Sequence, residues 1–116
     1  FEIHPDAVEV ANQTARHYGL EHLRFICADA TQIEQDMKDY APEVVLVNPP
    51  RRGLAEGASF LARSGVKTII YSSCSQESLR RDLVILSANY RVERAQIFDM
   101  FPHTQHFETL VLLRNI

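Results

Sequence analysis

The chain has 116 residues, 46% hydrophobic and 23% charged, with a formal net charge of −3. A chain of this size folds as one domain without staples, and its composition excludes a disordered tail, a collagen-like repeat and a membrane protein as the overall class. Two cysteines, Cys27 and Cys74, are too few and too far apart for a disulfide framework or a structural zinc site, and they fit a reducing, cytoplasmic setting.

In chain order, short apolar runs alternate with amphipathic helices, the pattern of a mostly parallel sheet covered by helices on both faces. Phe1 to Ile3 reads as a strand, and Pro5 to Tyr18 as a helix stopped by Gly19. Leu23 to Ala28 is a second strand, with Cys27 expected as a buried structural thiol inside it. A helix over Thr31 to Asp39, a strand over Val44 to Val47, a helix over Ala55 to Arg63, a strand over Thr68 to Ser72 and a helix over Gln76 to Leu86 follow. Tyr90 to Phe98 and His106 to Leu113 leave no room for a helix between them, so the sheet is expected to finish in an antiparallel hairpin. The opening Phe1-Glu2-Ile3-His4 carries neither an initiator methionine nor a leader pattern and reads as a piece of a longer protein.

In such α/β sheets ligands bind beyond the carboxyl ends of the parallel strands, so the residues just after each strand carry the functional reading. Glu2, beside Ile3, is the kind of acid that accepts hydrogen bonds from ribose hydroxyls; it is equally well a surface acid in a first helical turn. Asp29 either accepts from an adenine amino group or caps the helix starting near Thr31. Asn48-Pro49-Pro50 forms a rigid turn that presents the Asn48 amide in fixed geometry, because successive prolines remove two backbone donors. Such a turn is associated with methyltransferases acting on planar nitrogen heterocycles, although Arg51 replaces the aromatic residue of those that modify exocyclic amino groups.

Cys74 stands between a strand and a helix N-terminus, whose partial positive charge favours a thiolate nucleophile; the alternative is a structural cysteine. Strand alternation puts Glu108 on one face with Leu110 and Leu112, where partial desolvation raises a carboxylate's proton affinity and suits it to act as a general base. An edge-strand acid turned to solvent is the plainer alternative. His103 and His106 are too sparse for a metal site, and no metal is expected.

NPPRRG at 48–53, YSSCS at 71–75 and FDMFPHTQHFE at 98–108 together resemble the RNA uracil-5-methyltransferase family, and the resemblance runs through the whole chain. Within the family, NPPRRG and FDMFPHT resemble most the bacterial branch that acts on one 23S rRNA uridine, rather than the tRNA relative or the other 23S rRNA paralogue. The resemblance implies a Rossmann-like class I methyltransferase sheet, S-adenosylmethionine as cofactor and 5-methyluridine as product. It makes Cys74 the nucleophile that adds to uracil C6, and Glu108 the base that removes the C5 proton. It places Glu2, Ile3, Asp29 and Asn48 at the cofactor, and Pro49 and Arg51 on the substrate side. The partner is then 23S rRNA, as a single-stranded or flipped uridine, and no membrane is involved.

A polyanion of this kind suits the second part of the chain. Residues 1–43 hold nine acids and three bases, whereas residues 44–116 hold six acids and nine bases, among them Arg51, Arg52, Arg63, Lys67, Arg80 and Arg81. Taken singly, each is equally well a solvated surface charge.

Ser75 departs from the asparagine common after the cysteine, which puts a local hydrogen bond in question. The resemblance also makes residues 1–116 a partial catalytic domain that starts at the second strand, without the first strand and its glycine-rich loop. Weak or absent S-adenosylmethionine binding by this piece alone is therefore expected, with the sheet closed either by direct pairing or by strand exchange in a homodimer. An iron–sulfur cluster belongs, if anywhere, to the full-length protein, since two cysteines cannot hold one. Two other readings stay open on the residues alone: a cysteine hydrolase using His103 or His106, and a non-catalytic RNA-interaction fragment.

Overall fold

Alternation in Thr68-Ile69-Ile70-Tyr71-Ser72-Ser73 sends Ile69, Tyr71 and Ser73 to one face, and in the computed structural model these three are buried while Ile70 and Ser72 stay half-buried. The structure describes residues 1–29 and 34–116 and divides into two units, Phe1–Asp39 and Tyr40–Ile116.

In the first unit, α1 spans Pro5–His17. Proline at its start needs no amide donor, Asp6 meets the positive end, and Arg16 and His17 meet the negative end of the helix dipole. Gly19 ends it at φ +68°: its amide bonds the Arg16 carbonyl at 3.1 Å and that of Leu20 bonds the Ala15 carbonyl at 2.8 Å.

The runs expected as strands at Phe1 to Ile3 and Leu23 to Ala28 are joined by a single parallel bridge, Glu2 to Cys27. Two hydrogen bonds of 3.1 Å make it, from Glu2 N–H to the Ile26 carbonyl and from Ala28 N–H to the Glu2 carbonyl. A three-residue run cannot extend the ladder, so neither segment becomes a regular strand, and Cys27 is exposed rather than buried. The helix expected from Thr31 is described from Glu34 as α2, Glu34–Tyr40; its expected first residues, 31–33, lie outside the described residues.

The second unit is a four-stranded sheet with two helices. Its strands are β1 (Val44–Val47), β2 (Thr68–Ser73), β3 (Tyr90–Phe98) and β4 (Glu108–Asn115), in the order β1-β2-β4-β3. β1 and β2 run parallel with Val47 beside Tyr71; β4 runs antiparallel to β2 with Ser73 beside Thr109. The expected hairpin forms as β3 and β4, with a register shift between Val92 and Arg94, and its second strand inserts beside β2.

Ile69 and Tyr71 of β2, with Val111 and Leu113 of β4, make one buried sheet face. The core is completed by Ala58, Leu61 and Ala62 of α3 (Glu56–Arg63) and by Leu79 and Leu86 of α4 (Gln76–Leu86). Burying a side chain such as Leu61 contributes roughly 1.5–3 kcal/mol over leaving it in water. Ser75 caps α4, its hydroxyl oxygen accepting from the Ser78 amide at 3.5 Å, so the position keeps a capping role with serine. Among the described residues no helix is long and apolar enough to cross a membrane.

Candidate active site

The parallel pairing of β1 and β2 aligns their carboxyl ends, and the antiparallel β4 starts at that same end. Asn48 follows Val47, Cys74 follows Ser73, and Glu108 precedes Thr109, the partner of Ser73. Asn48, Cys74 and Glu108, all singled out from sequence, therefore share one rim of the sheet. Cys74 is half-buried, directly ahead of the Ser75 cap. Its neighbours hold it in a small turn: the Ser75 amide donates to Ser73 Oγ at 3.1 Å, and Ser73 Oγ donates to the Ser75 carbonyl at 2.9 Å.

Glu108 is half-buried on the face it shares with Leu110 and Leu112, as alternation requires. Ser72 projects to that same face, and its hydroxyl donates to Glu108 Oε2 at 3.2 Å. On the opposite face the Thr109 hydroxyl donates to Gln76 Oε1 at 3.2 Å, tying β4 to the first turn of α4. Among the described residues, no hydrogen bond links Cys74 to His103 or His106; both histidines are exposed in the turn between β3 and β4.

The turn after β1 presents exposed Asn48 and Arg51 around half-buried Pro49. It closes with the Gly53 amide donating to the Pro50 carbonyl at 2.8 Å, at a glycine φ of +79°. Asp82, to which the sequence reading gave no role, anchors it. Asp82 of α4 is fully buried, and its Oδ2 accepts the Leu54 amide at 2.7 Å and the Tyr71 hydroxyl at 2.6 Å. Gly53 packs against the same carboxylate. Burial and the carboxylate beside it push the Tyr71 hydroxyl far above its ordinary ionisation range, so it remains a donor. The visible signal was an acid on the apolar stripe Leu79, Asp82, Leu86.

In the first unit, Glu2 Oε1 accepts the amides of Ile3 and His4 at 2.8 and 3.1 Å. These bonds, that from His4 foremost, hold its carboxyl below the usual carboxylate range. Glu2 is thus ionised at neutral pH, and a carboxylate has about four acceptor sites, leaving capacity for ribose hydroxyls. Ile3 is exposed beside it and Asp29 is half-buried two residues beyond the bridge. Of the basic residues flagged from sequence, Arg51, Arg52, Arg63, Lys67, Arg80 and Arg81 are all exposed. Lys67 pairs with Glu43 at 2.6 Å, and Arg81 donates to the Arg52 carbonyl.

The family model for tRNA (Uracil-5-)-methyltransferase matches residues 26–116. The chain belongs to this family. Among curated relatives of these uracil-5-methyltransferases, the 23S rRNA (uracil(747)-C(5))-methyltransferase RlmC of Xenorhabdus bovienii is 46% identical over 113 residues, covering 97% of this chain and 29% of the relative. That of Pectobacterium atrosepticum is 47% identical over 115 residues, covering 98% of this chain and 30% of the relative. The chain thus spans about three-tenths of the length of these relatives. The crystal structure of Pyrococcus abyssi tRNA (uracil-54, C5)-methyltransferase in complex with S-adenosyl-L-homocysteine superposes with a TM-score of 0.80 at 29% identity, covering 96% of this chain and 27% of that one.

Proposed function

We propose that this chain is the catalytic part of an S-adenosylmethionine-dependent methyltransferase that modifies C5 of a uridine in 23S rRNA. The observation that carries the reading is the shared rim: a half-buried thiol beyond the carboxyl end of β2, at the head of α4, and a carboxylate held by Ser72 at the amino end of the antiparallel β4 beside it. The names of the relatives supply the substrate class.

Uracil C5 is a weak nucleophile. In the proposed sequence the Cys74 thiolate adds to C6, forming the S–C6 bond and moving the ring π electrons toward C5 and the C4 carbonyl, which makes C5 nucleophilic. S-adenosylmethionine, when bound, supplies the electrophilic methyl group that C5 takes. Glu108 then removes the remaining C5 proton. The electrons of that C–H bond restore the C5–C6 double bond as the S–C6 bond breaks and Cys74 leaves as thiolate. Asn48 and Pro49 shape the turn facing the base, and Arg51 supplies a cation for the RNA backbone or for stacking. The target uridine leaves its stack to meet Cys74.

Glu2 and Asp29 are the residues that hold the cofactor's ribose and adenine. Glu2 fits that role because it is ionised, exposed and has acceptor capacity beyond its two backbone bonds. The chain by itself, about three-tenths of the length of its relatives, is proposed to be inactive, and methyl transfer by the isolated 116 residues would overturn that point.

The test is incubation of the full-length protein with 5-fluorouridine RNA and S-adenosylmethionine, since fluorine at C5 cannot be removed as a proton. A covalent adduct is expected, lost on Cys74→Ala. With ordinary RNA, Glu108→Gln is expected to transfer methyl yet accumulate the adduct, seen by mass spectrometry. An adduct that persists in Cys74→Ala sinks the nucleophile assignment, and prompt product release by Glu108→Gln sinks the base.

A further inference from the structure

We infer that Asp82 is a positioning residue for the reaction proposed above: its buried carboxylate holds the turn bearing Asn48, Pro49 and Arg51 against the strand that delivers Cys74. The inference rests on the methyltransferase reading for what the turn and the thiol do, and on geometry for how they are joined.

A single oxygen, Asp82 Oδ2, receives the Tyr71 hydroxyl at 2.6 Å and the Leu54 amide at 2.7 Å. Tyr71 is fully buried on β2, three residues before Cys74; Leu54 is six residues after Asn48; Asp82 itself lies on α4, which begins two residues after Cys74. One atom therefore fixes the strand, the helix and the turn to one another. The turn approaches α4 so closely that position 53 admits no side chain, because a Cβ there would come 2.5 Å from Asp82 Oδ2 and 3.0 Å from Ser78 Cβ, at φ +79°. Arg81 grips the same turn through the Arg52 carbonyl, with its Nε 3.6 Å from Asp82 Oδ1.

The second carboxylate oxygen, Oδ1, is buried without a hydrogen-bond partner among the described residues. Burying a carboxylate with one oxygen that has the Arg81 ion pair at 3.6 Å but no hydrogen bond is costly, and an apolar residue would serve packing alone better. A tie between substrate-side turn and nucleophile strand gives that cost a purpose.

The test compares the full-length wild-type protein with Asp82→Ala, Asp82→Asn and Tyr71→Phe, at a temperature where circular dichroism shows each folded. Asparagine keeps a carbonyl oxygen for both donors, so Asp82→Asn is expected within about threefold of wild type in kcat/KM for RNA. Asp82→Ala is expected to lose about thirtyfold and Tyr71→Phe about fivefold. Alkylation of Cys74 by iodoacetamide, which needs no RNA, is expected to stay within about twofold throughout. A merely structural role would instead raise alkylation in step with a falling Tm.

Wild-type kcat/KM in folded Asp82→Ala overturns the inference. Should that variant not fold, wild-type kinetics in Tyr71→Phe overturn it, as does an Asp82→Asn enzyme as impaired as the Tyr71→Phe one. A wild-type protein that forms neither 5-methyluridine nor a Cys74 adduct overturns the methyltransferase reading itself, and the inference with it.

Discussion

Glu108, the proposed base, has a hydroxyl beside it. The Ser72 hydroxyl, 3.2 Å from Oε2, is the side-chain donor seen on that carboxylate, and it reaches it across the β2–β4 pairing. A donor in this place orients the carboxylate and leaves its other oxygen to collect a proton. Losing one such bond at a half-buried site is worth about 1 kcal/mol, or about fivefold in rate. Ser72→Ala in the full-length protein is therefore expected to slow tritium release from RNA carrying [5-³H]uridine by about fivefold, while adduct formation with 5-fluorouridine RNA stays unchanged. Unaltered tritium release would show that Ser72 does not position the base. The distinction is diagnostic because, in the proposed sequence, Cys74 acts before the proton leaves and Glu108 acts on the proton alone.

At the scale of elements, the 48–54 turn and α4 are joined closely, through the Leu54 amide on Asp82 and the approach of Gly53. Gly53 and Gly65 both have positive φ, +79° and +72°, yet their surroundings differ. A Cβ on Gly65 meets nothing within 4 Å, whereas one on Gly53 would press on Asp82, Arg81 and Ser78. Gly65→Ala is expected to cost about 1 kcal/mol from backbone strain alone. Gly53→Ala adds overpacking to strain and is expected to cost about 2–4 kcal/mol. Denaturant unfolding of the two variants checks this, and equal midpoints would contradict the packing described for the turn. The helices were readable because their ends are marked locally, by Gly19 after α1 and Ser75 before α4. Asp82 had no assigned role from sequence, where it is only an acid on a leucine stripe, since sequence cannot show which distant donors an acid meets.

Across the whole molecule the two units differ in how much they bury. In Phe1–Asp39 the buried apolar residues among those described are Val8 and Ala15, and Phe1, Ile3, Leu20, Leu23 and Phe25 remain at least 39% exposed. In Tyr40–Ile116 both central strands pair on each side, with Ile69, Tyr71, Val111 and Leu113 no more than 2% exposed. Local opening follows burial and protected backbone bonding. Amide exchange read by mass spectrometry is expected to be at least about a hundredfold slower in Ile69–Tyr71 and Val111–Leu113 than in Phe25–Ala28. Equal protection would mean that the single bridge at Glu2 carries far more stability than two hydrogen bonds supply. The proposed cofactor-side acid thus sits on the less buried unit and the proposed chemistry on the more buried one.

The sequence by itself determined the α/β class, three complete helices, the closing antiparallel pair and the strand-end positions of Asn48 and Cys74. Each follows from signals a few residues long: periodicity, caps, glycines and prolines. It overstated the first unit, where β-prone composition at Leu23 to Ala28 found only a three-residue partner and left Cys27 exposed. Only the tertiary structure decided that β4 inserts beside β2, that Ser72 reaches Glu108 and that Asp82 joins Tyr71 to Leu54. Those pairings span 36, 11 and 28 residues of chain. Local pattern states which face a side chain takes, but the partner it meets there depends on how the remaining elements pack, and that is settled by the burial of the whole core.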